Sequence, residues 1–426
     1  MIKDNAALQS AIRDRFLHVE ACPFEGPRVF FENAGGALTL RSVAQTSFDY
    51  AAYPDNQGRD NAASRAIMAV LDKGREDIRL FFNAPTGQVF VGESGTELLF
   101  RLVRTAALAS THGGVMLGST LEHPASHSAM ARWAEVTQRP HLLAKHDDAT
   151  GTVTTHAYRP HLRADLRVAT IIQTSPVTGI GVEVARIAAE IRKAAPDCFI
   201  IVDGIQHASH GRIDIAAYGI DGYVISPYKV FSRHGYGIGW ASDRLTEATK
   251  ETLIGSAPEN WEQGTCDAGS YVTFSDVVAY FEWLGSQVSD ATDRRGRIEA
   301  AAEAIHGQEA VLGDAILNGT GNHPGLSRIP GVTIIGGADN PRREGVVSLT
   351  LDGMPAADLV AHLREAGVRT HIRRNDHYCR NVLGPLGIEN CVRVSYSHYN
   401  TLAEVVKFLE AMRETSARVE SGTLGR

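Results

Sequence analysis

The chain has 426 residues, which at roughly 150 residues per domain leaves room for two or three domains and a large core. Hydrophobic residues make up 43% and charged residues 21%, near the values of ordinary soluble globular proteins, which argues against a disordered, collagen-like or coiled-coil chain. Lys plus Arg number 42 against 49 Asp plus Glu, a formal net charge of −7, so there is no basic field to hold a phosphate backbone and nucleic acid is not an expected partner.

The N-terminus, MIKDNAALQSAIRDRF, alternates charged and apolar residues where a signal peptide needs an unbroken apolar stretch. No run approaches the roughly 18 apolar residues of a membrane span. From about 65 to 255 the chain reads as short apolar strands followed by helical patterns, the rhythm of a largely parallel sheet between helical layers. The strand candidates are QVFVG (88–92), GVMLGS (114–119), RVATIIQ (167–173), CFIIVD (198–203), GYVIS (222–226) and YGIGWA (236–241). Amphipathic helices lie between them, among them TELLFRLVRTAALA (96–109) and VEVARIAAEIRKAA (182–195). From about 290 a long charged helical stretch leads into the short strands VTIIG (332–336) and VVSLTL (346–351), an α+β pattern. Five cysteines (Cys22, Cys198, Cys266, Cys379, Cys391) form an odd set without a CxxC pair, which speaks against a disulfide framework and a cysteine metal site and for a reducing, cytoplasmic setting.

Residues 199–240 are the most informative. One apolar strand delivers Asp203 at its C-terminal end, the edge at which open α/β sheets bind ligands. A second strand ends at Ser226, and three residues later Lys229 sits among Pro227, Tyr228, Val230 and Phe231. An amine in such surroundings is partly desolvated, which lowers its pKa and suits a Schiff-base nucleophile. A lysine for an aldehyde and a carboxylate for a ring nitrogen are together what pyridoxal phosphate needs. Taken singly, the Asp reads as a turn residue and the Lys as a surface charge; the combination carries the inference. GESGTELLF (92–100) adds a strand that ends in small residues and opens an apolar helix, whose free N–H groups and positive dipole favour a phosphate.

On these residues the chain resembles the fold-type I pyridoxal-phosphate enzymes of the class V aminotransferase superfamily, in their cysteine desulfurase-like branch. The similarity runs from FFENAGG (30–36) to SHYNTLAEVVKFLEAM (397–412). VDGIQHASHG resembles the family's strand ending in Asp with Gln three residues on, and SPYK its Ser-x-x-Lys. The resemblance implies that Lys229 carries the cofactor as a Schiff base, that Asp203 pairs with the pyridinium and that Gln206 hydrogen-bonds the ring's O3′. STLEHPASHSAMARWAE (119–135) resembles the segment that lays a histidine over the ring, here His123, which also moves protons. Gly95, Thr96 and Ser226 match phosphate contacts, and Thr265 in WEQGTCDAG matches a loop that reaches the phosphate of a second protomer, which implies a homodimer with a shared active site. Arg393 in CVRVSYSHYNT matches the arginine that grips the substrate carboxylate, where bidentate geometry favours Arg over Lys.

The resemblance also implies the architecture: a mostly parallel seven-stranded sheet flanked by helices over residues 40–288, and a smaller α+β unit from 1–39 plus 289–426. It departs from the family at Pro176, where an Asn is usual in the segment QTSPVTG, and at Tyr228, where a desulfurase has a histidine before the lysine. The expected function is a desulfurase-like or C–S lyase-type reaction on a small amino acid, with a class V aminotransferase as the alternative. Cys379 lies where the family's cysteine-bearing loop occurs, with Arg373, Arg374, His377 and Arg380 around it, which suits a lowered thiol pKa and a nucleophile. HYCRNVLGPLG equally resembles a subgroup in which an aromatic-small pair opens a helix, and there Cys379 is a packing residue.

Overall fold

The computed structural model describes residues 2–423. Its larger sheet is built from β1 (Gln88–Gly92), β2 (Val115–Ser119), β3 (His141–Ala144), β4 (Leu166–Ile172), β5 (Phe199–Asp203), β6 (Gly222–Ile225) and β7 (Gly237–Ala241), in the order β1-β7-β6-β5-β4-β2-β3. β7 runs antiparallel to both of its neighbours, and the remaining pairs are parallel. Every residue of β5 and of β6 is buried, as expected for strands covered by helices on both faces. The edge strand β3 was not anticipated, because HLLA is short and lies between Pro140 and Lys145 without β-branched residues.

Helices connect these strands and set the positions of their ends. α1 (Ala62–Phe82) precedes β1, and α2 (Gly95–Ala109) follows it, capped by Ser94 whose Oγ accepts from the Glu97 amide at 3.1 Å. α3 (Pro124–Val136) begins with a proline at its first position, where the missing N–H costs nothing. α4 (Val184–Ala194) buries Val184, Ile187, Ala188 and Ile191, one stripe at helical spacing. α5 (Ala268–Val288) packs on α1 and on α6 (Arg294–Asn318), its Phe274 and Phe281 joining the core that holds Phe81 and Phe82.

The second sheet contains β8 (Val332–Ile335), β9 (Val346–Leu351), β10 (His371–Arg374) and β11 (Asn390–Ser395), all antiparallel, in the order β8-β9-β11-β10. α7 (Ala356–Glu365) and α8 (Leu402–Glu420) pack on it through Leu359, Leu363, Val405, Phe408 and Leu409. α8 opens on a capping box between Thr401 and Glu404. The N-terminal segment joins this second unit: Val29–Phe30 pairs in parallel with Val368–Arg369. No helix among the described residues is long and apolar enough to cross a membrane.

Candidate active site

The C-terminal ends of β2, β4, β5 and β6 meet at one cleft, as the crevice rule for open α/β sheets requires. Pairing in register sets Ile172 beside Asp203 and Asp203 beside Val224, so the ends of three neighbouring strands lie level. Of the residues singled out from the sequence, Thr96, His123, Asp203, Gln206, Ser226 and Lys229 line this cleft.

Lys229 closes a single turn, Pro227–Lys229, that follows β6. The turn is held by the Lys229 amide on the Ser226 carbonyl at 2.9 Å. Two residues on, Phe231 has φ of +64°, a sparsely populated region for a bulky side chain. Its fully buried ring packs against Phe16 at 5.3 Å and His398 at 5.2 Å, contacts that hold the strained conformation next to a reactive group. The Lys229 Nζ donates to Gln206 Oε1 at 2.9 Å. Burial and then the nearby Arg393 push its pKa down to about 7 against the attraction of Asp203, so the amine is poised between its two forms at neutral pH.

Asp203 is buried, and its Oδ1 accepts from the Ile205 amide at 3.0 Å. Burial pushes its pKa up to about 6, opposed by that hydrogen bond and by Lys229. Its other oxygen accepts no hydrogen bond from the described residues, so the carboxylate is short of a cationic or N–H partner of the kind a pyridinium provides. His123 caps α3 through Nδ1, which accepts from the Ala125 amide at 3.2 Å. Burial, then Lys229 and Arg373, push its pKa down to about 3. The ring is neutral at pH 7. The side chain before it, Glu122, is buried and its pKa is raised to about 7, by burial above all. Its carboxyl accepts from Ser126 Oγ at 2.8 Å and the Ile172 amide at 3.0 Å, which ties the loop carrying His123 to the end of β4. No sequence signal marked Glu122 for this task.

Gly95 begins α2 beside Ser226. A Cβ on Gly95 would stand 2.5 Å from Ser226 Oγ and 2.7 Å from Ile205 Cδ1, so a larger residue there would displace the Ser226 hydroxyl and the Ile205 side chain. Free amides, the Thr96 and Ser226 hydroxyls and a 15-residue helix dipole converge on a place suited to a phosphate.

Arg393 on β11 is 2% exposed. Its Nη1 donates to the Pro176 carbonyl at 3.0 Å, while its Nε is buried without a partner. Burial, then Arg373, push its pKa down to about 10. Pro176 therefore supplies a carbonyl where a side-chain amide was expected, and it lines the cleft together with Thr174 and Tyr228. The Tyr228 ring stacks on His234 at 4.4 Å; neither contact was legible in the sequence.

Two sequence candidates lie elsewhere. Thr265 is exposed on a loop beside Tyr53 and Ile67, outside the cleft of its own chain. Cys379 is fully buried, and of its expected basic neighbours Arg373 is the one in contact, with Nε donating to Sγ at 3.0 Å. Its thiol pKa is raised, not lowered as the surrounding charges implied, because burial outweighs Arg373. The neighbouring Tyr378 is 46% exposed instead, with its ring 6.1 Å from that of His123.

Residues 29–408 match the family model of the class-V aminotransferases. The chain belongs to that family. Similar proteins include a cysteine desulfurase of Synechococcus elongatus, 24% identical over 93% of this chain and 61% of its own length. Another is the cysteine desulfurase-like protein ustD of Aspergillus flavus, 26% identical over 92% of this chain and 88% of its own length. Among solved structures, a cysteine desulfurase of Thermococcus onnurineus superposes with a TM-score of 0.78 at 20% identity, covering 91% of this chain and 94% of that one. The cysteine desulfurase CsdA of Escherichia coli gives 0.77 at 21% identity, over 98% and 99%. Class-V aminotransferases are pyridoxal-phosphate-dependent, and the residues present fit that cofactor: an under-partnered buried carboxylate, a desolvated lysine and a helix N-terminus beside the Thr96 and Ser226 hydroxyls.

Proposed function

We propose that this protein is a pyridoxal-phosphate enzyme that acts on a small amino acid in a desulfurase-like or C–S lyase-type reaction. The carrying observation is Lys229 and Asp203 at neighbouring strand ends, with Gln206 hydrogen-bonded to Lys229. The likeness to cysteine desulfurases over nearly the whole chain supports the reaction class. When bound, the cofactor supplies an aldehyde for the amine and an electron sink for the bond that breaks. Lys229 would hold that aldehyde, Asp203 its ring nitrogen, and Gly95, Thr96 and Ser226 its phosphate. The Lys229 amine, near neutrality in its proton affinity, would move protons at the substrate carbon. His123, kept neutral by burial, would cover the ring with an uncharged imidazole and offer it a nitrogen rather than a charge. Arg393 holds the substrate carboxylate.

The buried Cys379 is not the sulfur acceptor in this reading; Tyr378 stands at the rim of the site in its place. Without an acceptor in the protein, breaking the C–S bond by elimination would release sulfide, with the carbon skeleton leaving as 2-aminoacrylate that hydrolyses to a keto acid and ammonia. An external thiolate that attacks the substrate sulfur directly would instead become a persulfide, the C–S electron pair staying with carbon, which takes up a proton. Accordingly Cys379→Ala keeps most of the turnover with the true amino acid, and abolished turnover with a persulfide trapped on Cys379 in the unmutated protein is the contrary result. Arg393→Ala raises the substrate constant tenfold or more, since a charged hydrogen bond of this kind contributes roughly 1.5–3 kcal/mol, and it leaves the visible spectrum of the bound cofactor unchanged. An unchanged substrate constant returns Arg393 to a structural role.

We further propose a homodimer in which Thr265 serves the second copy's phosphate. Its exposure, and the exposure of the large apolar residues Phe48 (75%), Leu253 (67%) and Ile254 (107%), support surface covered by a second copy. The division into 40–288 and 1–39 plus 289–426 is supported by the pairing of Val29–Phe30 with Val368–Arg369, and a cytoplasmic setting by the free, largely buried cysteines. The deciding experiment reduces the holoprotein with borohydride, maps the pyridoxyl adduct, and identifies products from a panel of amino acids with and without a keto acid. The expected adduct is on Lys229, with sulfur release from a sulfur-bearing amino acid; an adduct on another lysine overturns the site, and turnover that requires the keto acid establishes an aminotransferase.

A further inference from the structure

A line of hydrogen bonds leads from Lys229 out of the site into the protein interior. Lys229 Nζ donates to Gln206 Oε1 at 2.9 Å, Gln206 Nε2 lies 3.2 Å from His210 Nε2, and His210 Nδ1 lies 2.8 Å from Glu309 Oε2. Gln206 follows β5 in the larger unit, whereas Glu309 belongs to α6. His210 and Glu309 side chains are 3% and 2% exposed. Room for the imidazole is made by the segment after β8: Gly345 has φ of +56°, and a Cβ there would stand 2.4 Å from His210 Cε1.

The donor and acceptor identities in this line form a single chain. Lys229 Nζ donates to Gln206 Oε1, which leaves the amide NH2 to face His210 Nε2. That ring nitrogen therefore accepts, and the proton on Nδ1 is donated to Glu309 Oε2. The arrangement leaves one amide N–H of Gln206 without a protein acceptor among the described residues. Reversing any link turns the amide over, so that two donors, NH2 and the lysine amine, face one another.

We propose that His210 and Glu309 are positioning residues that fix which end of the Gln206 amide meets Lys229 and the cofactor ring, although neither touches the cleft. The proposal rests on the reading of the cleft as the pyridoxal-phosphate site. It makes α6, through Glu309, a determinant of how Gln206 treats the ring.

The test compares the unmutated protein, Glu309→Gln, Glu309→Asp, Gln206→Ala and the double variant Glu309→Gln/Gln206→Ala. For each, the dissociation constant of pyridoxal phosphate from the apoprotein, the visible band of the bound form and the melting temperature are measured. Glu309→Gln keeps the size of the side chain but can donate, which permits the reversed chain. It is expected to weaken cofactor binding on the order of tenfold, the scale of one lost or inverted hydrogen bond, and to shift the band. Glu309→Asp, still an acceptor, preserves the band. In the Gln206→Ala background Glu309→Gln adds nothing, because the effect acts through the amide. Additive effects, or a lowered melting temperature with unchanged affinity and band, overturn the proposal. Should Glu309→Gln fail to fold, nitrogen NMR of 15N-histidine-labelled unmutated protein decides it: the Nδ1–H tautomer at His210 is expected, and the Nε2–H tautomer is the contrary result. If the unmutated protein does not bind pyridoxal phosphate at Lys229, the reading of the site fails and this proposal with it; if it binds and only the variants behave normally, this proposal fails alone.

Discussion

Lys229→Ala is expected to lower turnover about 10²–10⁴-fold, the range typical of a lost positioned acid–base group, while the protein still takes up pyridoxal phosphate through the Asp203 and phosphate contacts. The amine acts as a nucleophile only when unprotonated. Because burial and Arg393 bring its pKa down to about 7 from the ordinary 10.5, the unmutated apoprotein should gain the bound-cofactor absorbance faster as pH rises through about 7, and the rate should then level off. Below that pH the amine carries its proton and capture slows. A stopped-flow pH series of recombination checks this directly. A rate that climbs only near the pH of an exposed lysine contradicts the desolvated site, and undiminished turnover in Lys229→Ala contradicts the role.

Asp203→Asn is the second large effect. The amide keeps the shape of the side chain and an oxygen for the Ile205 N–H now held at 3.0 Å, but it removes the charge that keeps a ring nitrogen protonated. Stabilisation that acts where charge develops commonly contributes about 10²–10³ in turnover, so kcat should fall by that order with a smaller change in KM. Part of the cofactor should remain bound, because the phosphate cradle at Gly95 and Ser226 is untouched. Steady-state kinetics and cofactor content together test this; a near-normal kcat removes Asp203 from its assigned role. Since Asp203 titrates at about 6 in the free protein, cofactor uptake should weaken as pH falls through that value, when the carboxyl gains a proton and can no longer pair with a cation.

How far the chain can be read without coordinates depends on what kind of information each residue carries. β5 and β6 are legible because FIIVD and GYVI are unbroken apolar runs that only a doubly covered sheet buries, and their polar ends, Asp203 and Ser226, must then emerge at one edge. β3 is not legible: HLLA owes its strand to pairing with β2, a neighbour that local preference does not name. The arrangement at Cys379 illustrates the limit most clearly. Four nearby basic residues in sequence imply a thiolate, yet in the fold Arg373 alone touches Sγ, and burial raises the pKa.

The sequence by itself determined the class of this protein: strand rhythm, the Asp203–Gln206 and Ser226–Lys229 spacings and the small residues before α2 are local patterns, each set by a few consecutive residues and a backbone period. What only the tertiary structure decided are the quantities that depend on groups far apart in the chain. The Pro176 carbonyl meets Arg393 across 217 positions and His210 meets Glu309 across 99; desolvation of Lys229 and the burial of Cys379 belong to the same kind. Hydrogen-bond partners and pKa values follow from distance and dielectric in space, and neither is encoded in spacing along the chain.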